Sequence, residues 1–102
     1  MNTIKRTRAY VDWFFHLNDQ QARDRILNRI RRAGNGNFGD HHAVGDGVYE
    51  MRIDYGPGYR VYFAREGDTV YLLLLGGDKR NQDSDIQKAK AIWKAIEKRN
   101  KP

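Results

Sequence analysis

The chain has no cysteine. Disulfides and thiolate-held metal sites are thereby excluded, and a reducing cytoplasm is compatible with that. Proline is nearly as scarce. Pro57 lies in a glycine-rich stretch and Pro102 is the last residue, so no expected helix or strand is broken from within. Ser84 is the only serine. It falls in the first turn of an expected helix, a position serine favours, so serine-nucleophile chemistry is not expected. The longest strictly apolar run, Val70 to Leu75, is far shorter than the ~20 residues of a membrane-spanning helix. Met1 to Arg8 leads into a mixed helical segment and not into a long apolar core, so no secretory signal is expected. The protein is expected to be soluble and cytoplasmic, with no membrane partner.

Histidine offers little for a metal. His41 and His42 are adjacent and would point to opposite faces of a strand, and His16 is remote. No carboxylate–histidine spacing of the usual metal type is present, so neither metal nor other cofactor is expected. The segment Gly34-Asn35-Gly36-Asn37-Phe38-Gly39 matches G-x-G-x-x-G, but it follows a helix and leads toward strands, the wrong context for a phosphate loop.

What the chain does have is positive charge. Nineteen Lys and Arg face thirteen Asp and Glu in 102 residues, a net charge of +6. Such an excess favours nucleic acid or an acidic protein partner. The length suits one domain with one substantial core.

Local patterns predict the elements. Asn2 to Arg6 can form a short strand, and Thr7 can cap a helix carrying Tyr10, Trp13, Phe14 and Leu17 on one face. Asn18 or Asp19 can cap a second helix running to about Ala33, with Ala22, Ile26, Ile30 and Ala33 inward and Gly34 as its C-cap. Arg25, Arg29 and Arg32 share another face of that helix. The short break between the two implies an antiparallel helical hairpin. Val48 to Tyr55 alternates Tyr49, Met51 and Ile53 against Glu50, Arg52 and Asp54. Tyr59 to Arg65 alternates Val61 and Phe63 against Arg60, Tyr62 and Ala64. For Arg52 and Arg60 to share a face, paired residue numbers must sum to an even number. A loop of Gly56 to Gly58 meets that condition, pairing Tyr55 with Tyr59 and setting Arg52 opposite Tyr62. A two-residue turn at Gly56-Pro57 would not. The unalternated strand Thr69 to Leu75 should be covered on both faces. After Gly76-Gly77, read as punctuation, Asp83 can cap a last helix with Ile86, Ala89, Trp93 and Ile96 inward. Helices followed by strands argue an α+β fold.

The chemistry-bearing set is cationic. Arg52 and Arg60 should project from paired strands beside Glu50 and Tyr62, with Lys79 and Arg80 after the central strand. Arginine forks and a lysine suit a scissile phosphate. Glu50 could take a proton, and Tyr62 or a flanking cation could assist the leaving group. The plainer alternative is a solvated sheet face with cross-strand Glu–Arg pairs.

Several stretches together resemble the RelE/ParE toxins, in particular the addiction-module killer branch grouped with HigB. They are Trp13-Phe14 with Leu17, Asp19 and Ala22; Arg25-Ile26 and Arg29-Ile30; Gly36 to Asp40; Gly45 and Gly47 to Ile53; Gly56 to Phe63; and Leu74 to Lys79, followed by Gln82, Asp85-Ile86 and Ala89. The resemblance implies a helical hairpin and C-terminal helix packed on a curved antiparallel sheet. It also implies a cognate helix-turn-helix antitoxin whose complex with the toxin binds operator DNA. RelE-type members cleave messenger RNA on the ribosome without metal, aligning the ribose 2′-hydroxyl on the adjacent phosphate. ParE-type members poison DNA gyrase. The residue-by-residue match is best for Arg60, which stands at the arginine of the RelE-type Tyr-Arg motif. Arg52 stands at an often basic strand position, and Lys79 or Arg80 at the basic group after the last strand. Arg25, Arg29, Arg32 and Arg80 are the expected contacts to RNA and the ribosome, although the helical stripe would equally suit an acidic antitoxin segment. Two departures stand out. Glu50 replaces a lysine of some members, and no tyrosine or histidine follows Arg80.

Overall fold

A computed structural model describes residues 1–100. Its elements are β1 (Thr3–Arg6), α1 (Arg8–Phe15), α2 (Gln20–Gly34), β2 (His41–Gly45), β3 (Val48–Ile53), β4 (Tyr59–Arg65), β5 (Val70–Asp78), a 3₁₀ turn (Lys79–Asn81) and α3 (Gln82–Arg99). The fold is α+β, as the order of patterns predicts. The sheet runs β1-β5-β4-β3-β2. β2 through β5 are antiparallel, but β1 joins β5 in parallel, so the sheet is mixed and not wholly antiparallel. Among the described residues, no helix is long and apolar enough to cross a membrane.

Both faces of the sheet are covered. Tyr10 of α1 and Ala22, Ile26, Ile30 and Ala33 of α2 pack with Met51, Ile53, Tyr59, Val61, Phe63 and Leu73. On the other face Ala89 and Trp93 of α3 pack with Val48, Tyr62, Ala64, Leu72 and Leu74. The unalternated run in β5 is the sequence trace of this double burial. It also explains why β4, which alternates, is buried at every position from Tyr59 to Ala64.

The helix starts follow capping chemistry. The Thr7 hydroxyl accepts from Tyr10 N–H at 3.1 Å and donates to the Leu74 carbonyl at 2.8 Å, tying α1 to β5. Asp19 caps α2 by accepting from Gln21 and Ala22 N–H. Two expected caps differ. Gly34 is the last residue of α2, with Asn35 as its C-cap, and α3 starts at Gln82 after Asn81, leaving Asp83 inside the first turn.

The β3–β4 register keeps the even sum but differs from the expected pairing. Ile53 faces Tyr59, Arg52 faces Arg60, and Glu50 faces Tyr62. Tyr55 does not pair with Tyr59, because it closes the turn. Its N–H donates to Ile53 O and its carbonyl accepts from Gly58 N–H. Its hydroxyl reaches Asp19 at 3.1 Å and Gln21 at 3.2 Å, and the Arg25 guanidinium lies 4.6 Å above its ring.

Gly76 and Gly77 are not punctuation. They lie inside β5, opposite Val61 and Arg60. A Cβ at Gly76 would lie 2.0 Å from the Trp13 ring of α1, and one at Gly77 would lie 2.0 Å from an Asp85 oxygen of α3. The pair is a notch in the sheet that admits a helix side chain on each face.

Candidate functional site

Glu50, Arg52, Arg60 and Tyr62 meet on the α3 face of β3 and β4, as strand parity requires. Glu50 is completely buried. Its Oε1 accepts from Arg52 Nε at 2.8 Å and lies 3.8 Å from Arg60 Nε. Its Oε2 accepts from Gln82 Nε2 at 2.8 Å. A buried carboxylate with both oxygens engaged is an anchor for the cations around it. The alternative of an open, solvated face does not hold at Glu50, because Gln82 at the start of α3 lies over it.

The cations differ in access. Arg60 is 8% exposed, and its Nη1 donates to the Tyr59 carbonyl at 3.3 Å. Its Nε is buried without a hydrogen-bond partner. Arg52 is partly exposed, and its hydrogen bond to Glu50 raises its pKa, so it stays charged. Lys79 is exposed, and its N–H donates to the Gly58 carbonyl at 2.9 Å. Gly58 in turn lies against Arg60 Nη1 and Lys79 Cβ. Lys79 is thus seated at the Arg60 end of the hairpin. Arg52 and Lys79 are the solvent-reaching cations here, and Arg60 is buried.

Two further buried groups, Tyr62 and Asp85, belong to the cluster. The Tyr62 hydroxyl is buried without a hydrogen-bond partner. Burial, reinforced by the charges of Glu50 and Asp85, raises its pKa far above the usual tyrosine value, so it stays protonated. Asp85, in the first turn of α3, is 8% exposed and sits against Gly77. Burial raises its carboxyl above the usual range. Gln82 and Asp85 are the members of this cluster that local sequence patterns do not single out. Their signal is positional: both lie in the first turn of the one helix that covers this face.

The remaining cations lie apart. Arg80 is bound to Asp78, with Nη2 on Oδ2 at 3.0 Å, and the same carboxylate caps the 3₁₀ turn through Arg80 N–H. The α2 stripe divides. Arg25 lies over Tyr55 and Arg32 is exposed. Arg29 is spent on backbone carbonyls, donating to Arg52 O at 2.5 Å, Phe38 O at 3.0 Å and Asp40 O at 3.3 Å.

Comparison with known proteins adds two findings. The family model described as phage derived protein Gp49-like (DUF891) matches residues 12–99. An uncharacterized protein of Haemophilus influenzae is 45% identical over 89 residues, covering 87% of this chain and 90% of that protein.

Proposed function

The chain belongs to the phage-derived Gp49-like family, and on that premise we propose that it is the toxin of a type II toxin–antitoxin pair, of the RelE/ParE kind and HigB-like, that cleaves messenger RNA on the ribosome without metal. The observation that supports this reading is the Glu50-anchored pair of Arg52 and Arg60, with the Lys79 backbone seated on Gly58 of the same hairpin. In the proposed reaction the ribose 2′-hydroxyl gives its proton to water, its oxygen bonds to the adjacent phosphorus, the bond from phosphorus to the 5′-oxygen breaks, and the released 5′-oxygen takes a proton from water. Arg52 and Lys79 receive the phosphate, and Arg60 lies behind it as charge accumulates on the phosphoryl oxygens. Glu50 has no surface to offer a substrate, so its role here is to aim the two arginines. Tyr62 remains a neutral group behind them. The partners on this reading are messenger RNA, the ribosome, a helix-turn-helix antitoxin and, through the antitoxin complex, operator DNA. Arg25, Arg32 and Arg80 are its exposed candidates for ribosomal RNA.

One observation favours a second reading. Both acidic residues of the cluster are buried, Glu50 with both oxygens bound and Asp85 against Gly77, so no general base faces solvent. A gyrase poison of the ParE kind needs none. A binding module without toxicity of its own is the third possibility.

Inducing the protein without its antitoxin and mapping messenger RNA 5′ ends separates these. In-frame cuts within translated codons, lost in Arg60→Ala, are the expected result. Growth arrest with intact messages and trapped gyrase would replace this reading with the second. Failure of the wild-type protein to slow growth would leave the third.

A further inference from the structure

The opposite sheet face carries a second feature. Near the β4–β5 turn, Phe38, His41, Tyr49, Phe63 and Tyr71 line a cavity of about 190 Å³, with Arg65 at its edge. No residue of α1 or α2 lines it. Phe63 is buried, while Tyr49, its partner across the strands, is 37% exposed. The ring planes are nearly parallel. Phe38 lies 5.0 Å from Phe63 at 13°, and Tyr49 lies 5.6 Å from Phe63 at 22°. Arg29 holds the Phe38 backbone in place from α2.

The polar groups around these rings are unlike those of an aliphatic anchor site. The His41 Nδ1 lies 2.9 Å from the Gly39 carbonyl, which can only accept, so Nδ1 carries a proton and the ring is oriented by this bond. Arg65 pairs across the ladder with Tyr71. Its Nε donates to Gly67 O at 2.6 Å, and its Nη2 lies 3.2 Å from Asp68 O and 3.4 Å from Asp68 Oδ1. The guanidinium is thus held at the turn with half its side chain in solvent. The cavity is smaller than the ~300 Å³ lower end of drug-sized ligand sites, so it takes one ring system and not a larger molecule.

Parallel aromatic planes, a fixed cation at the edge and a chain of net charge +6 describe one kind of ligand. We infer that this pocket holds an unpaired nucleobase of a single-stranded nucleic acid, stacked on the Tyr49–Phe63–Phe38 rings, with the neighbouring phosphate on Arg65. The site lies on the sheet face opposite Glu50 and requires no cleavage chemistry, so it stands without the ribonuclease reading.

The test is fluorescence anisotropy with labelled hexamers of adenine or uracil in RNA, adenine or thymine in DNA, and a duplex of the same length. Tyr49→Phe keeps the ring and should bind single strands as the wild type does. Tyr49→Leu keeps the bulk without the aromatic face and should weaken them about tenfold or more. The same loss is expected in an Arg60→Ala background, which separates this site from the cationic cluster. Arg65→Ala should weaken single strands and lower the salt dependence. Thermal melts of Tyr49→Leu check that the exposed position leaves the fold intact. Tighter binding of RNA than DNA would assign the site to RNA, and equal binding to unpaired strands of either kind. Unchanged affinity in folded Tyr49→Leu, or duplex bound as tightly as single strand, overturns the inference. So does a Tyr49→Leu loss seen only with an acidic tryptophan-bearing peptide, which would make the pocket a protein anchor.

Discussion

Gly77 of β5 and Asp85 of α3 touch so closely that a Cβ on the glycine would lie 2.0 Å from the carboxylate oxygen. The contact seats the first turn of α3 over Arg60, the residue paired with Gly77. Gly77→Ala should therefore cost about 1–3 kcal/mol through overpacking. Asp85→Ala in the same chain should recover part of it. Urea denaturation of the single and double variants measures both, and a Gly77→Ala protein as stable as wild type would show that α3 yields freely.

Glu50 and Arg52 are partners of unequal burial. Removing Glu50 leaves Arg60 buried beside an empty carboxylate position. Removing Arg52 leaves Glu50 still bound by Gln82 and near Arg60. Glu50→Ala should cost roughly 3–5 kcal/mol, the range for breaking a buried pair. Arg52→Ala should cost distinctly less, since its side chain is 40% exposed and solvent screens the lost pair. Equal losses in denaturant melts would contradict the anchor role of Glu50.

Arg29 and Arg32 share a helix stripe but not a job. Arg29→Ala strips donors from the carbonyls of Arg52, Phe38 and Asp40 and should destabilise by about 1–3 kcal/mol. Arg32→Ala, at an exposed position, should change stability by no more than about 0.5 kcal/mol. Comparable melting temperatures for the two variants would count against this division.

Asp78 and Asp85 should give acid responses of opposite sign. The Arg80 hydrogen bond holds the Asp78 carboxyl below its usual range. Its folded pKa lies below the unfolded one, so its contribution is present above about pH 4 and is lost as pH falls through the folded value. Burial raises Asp85. Its contribution is present below about pH 4 and is lost as pH rises through its folded value. Asp78→Asn should flatten the acid limb of stability. Asp85→Asn should stabilise near neutral pH, with the gain fading toward about pH 3. Thermal melts across that range read both slopes.

Tyr10 shares the alkaline side with Tyr62, since burial raises both hydroxyls. Tyr10 is 2% exposed, its hydroxyl has no hydrogen-bond partner, and burial pushes its pKa up to about 12. The stability linked to its neutral form is complete below about pH 10 and is lost as pH rises through the folded value. Tyr10→Phe should remove that alkaline loss. At neutral pH it should change stability by less than about 1 kcal/mol, because the hydroxyl it deletes is unpaired. Tyr62 keeps its own alkaline loss in that variant, so the limb should become shallower and not vanish, and an unchanged limb in Tyr10→Phe would count against the Tyr10 contribution.

Helix starts at Thr7 and Asp19, the inward stripe of α2, and the faces of β3 and β4 were legible in the sequence because each follows from bonds or periodicity within a few residues. The grouping of Glu50, Arg52, Arg60 and Tyr62 was legible for the same reason, once the strand parity was even. Their environment was not. Alternation says that two residues share a face, but not what lies over it. Here the start of α3 covers the face, so Glu50 is a buried anchor and not part of a solvated patch. The one-step difference in hairpin register arose likewise from Tyr55, which left the ladder for contacts with α2.

Composition, capping residues and local period by themselves determined the basic character, the α+β class and most element positions, since these depend on short-range chemistry. Tertiary structure alone decided that β1 runs parallel beside β5, that Gly76-Gly77 is a notch for Trp13 and Asp85, that Gln82 reaches Glu50 across 32 residues, and that Arg29 serves the backbone. Each of these depends on which distant segment fills the space beside a residue, and packing settles that only when the whole chain has closed on itself.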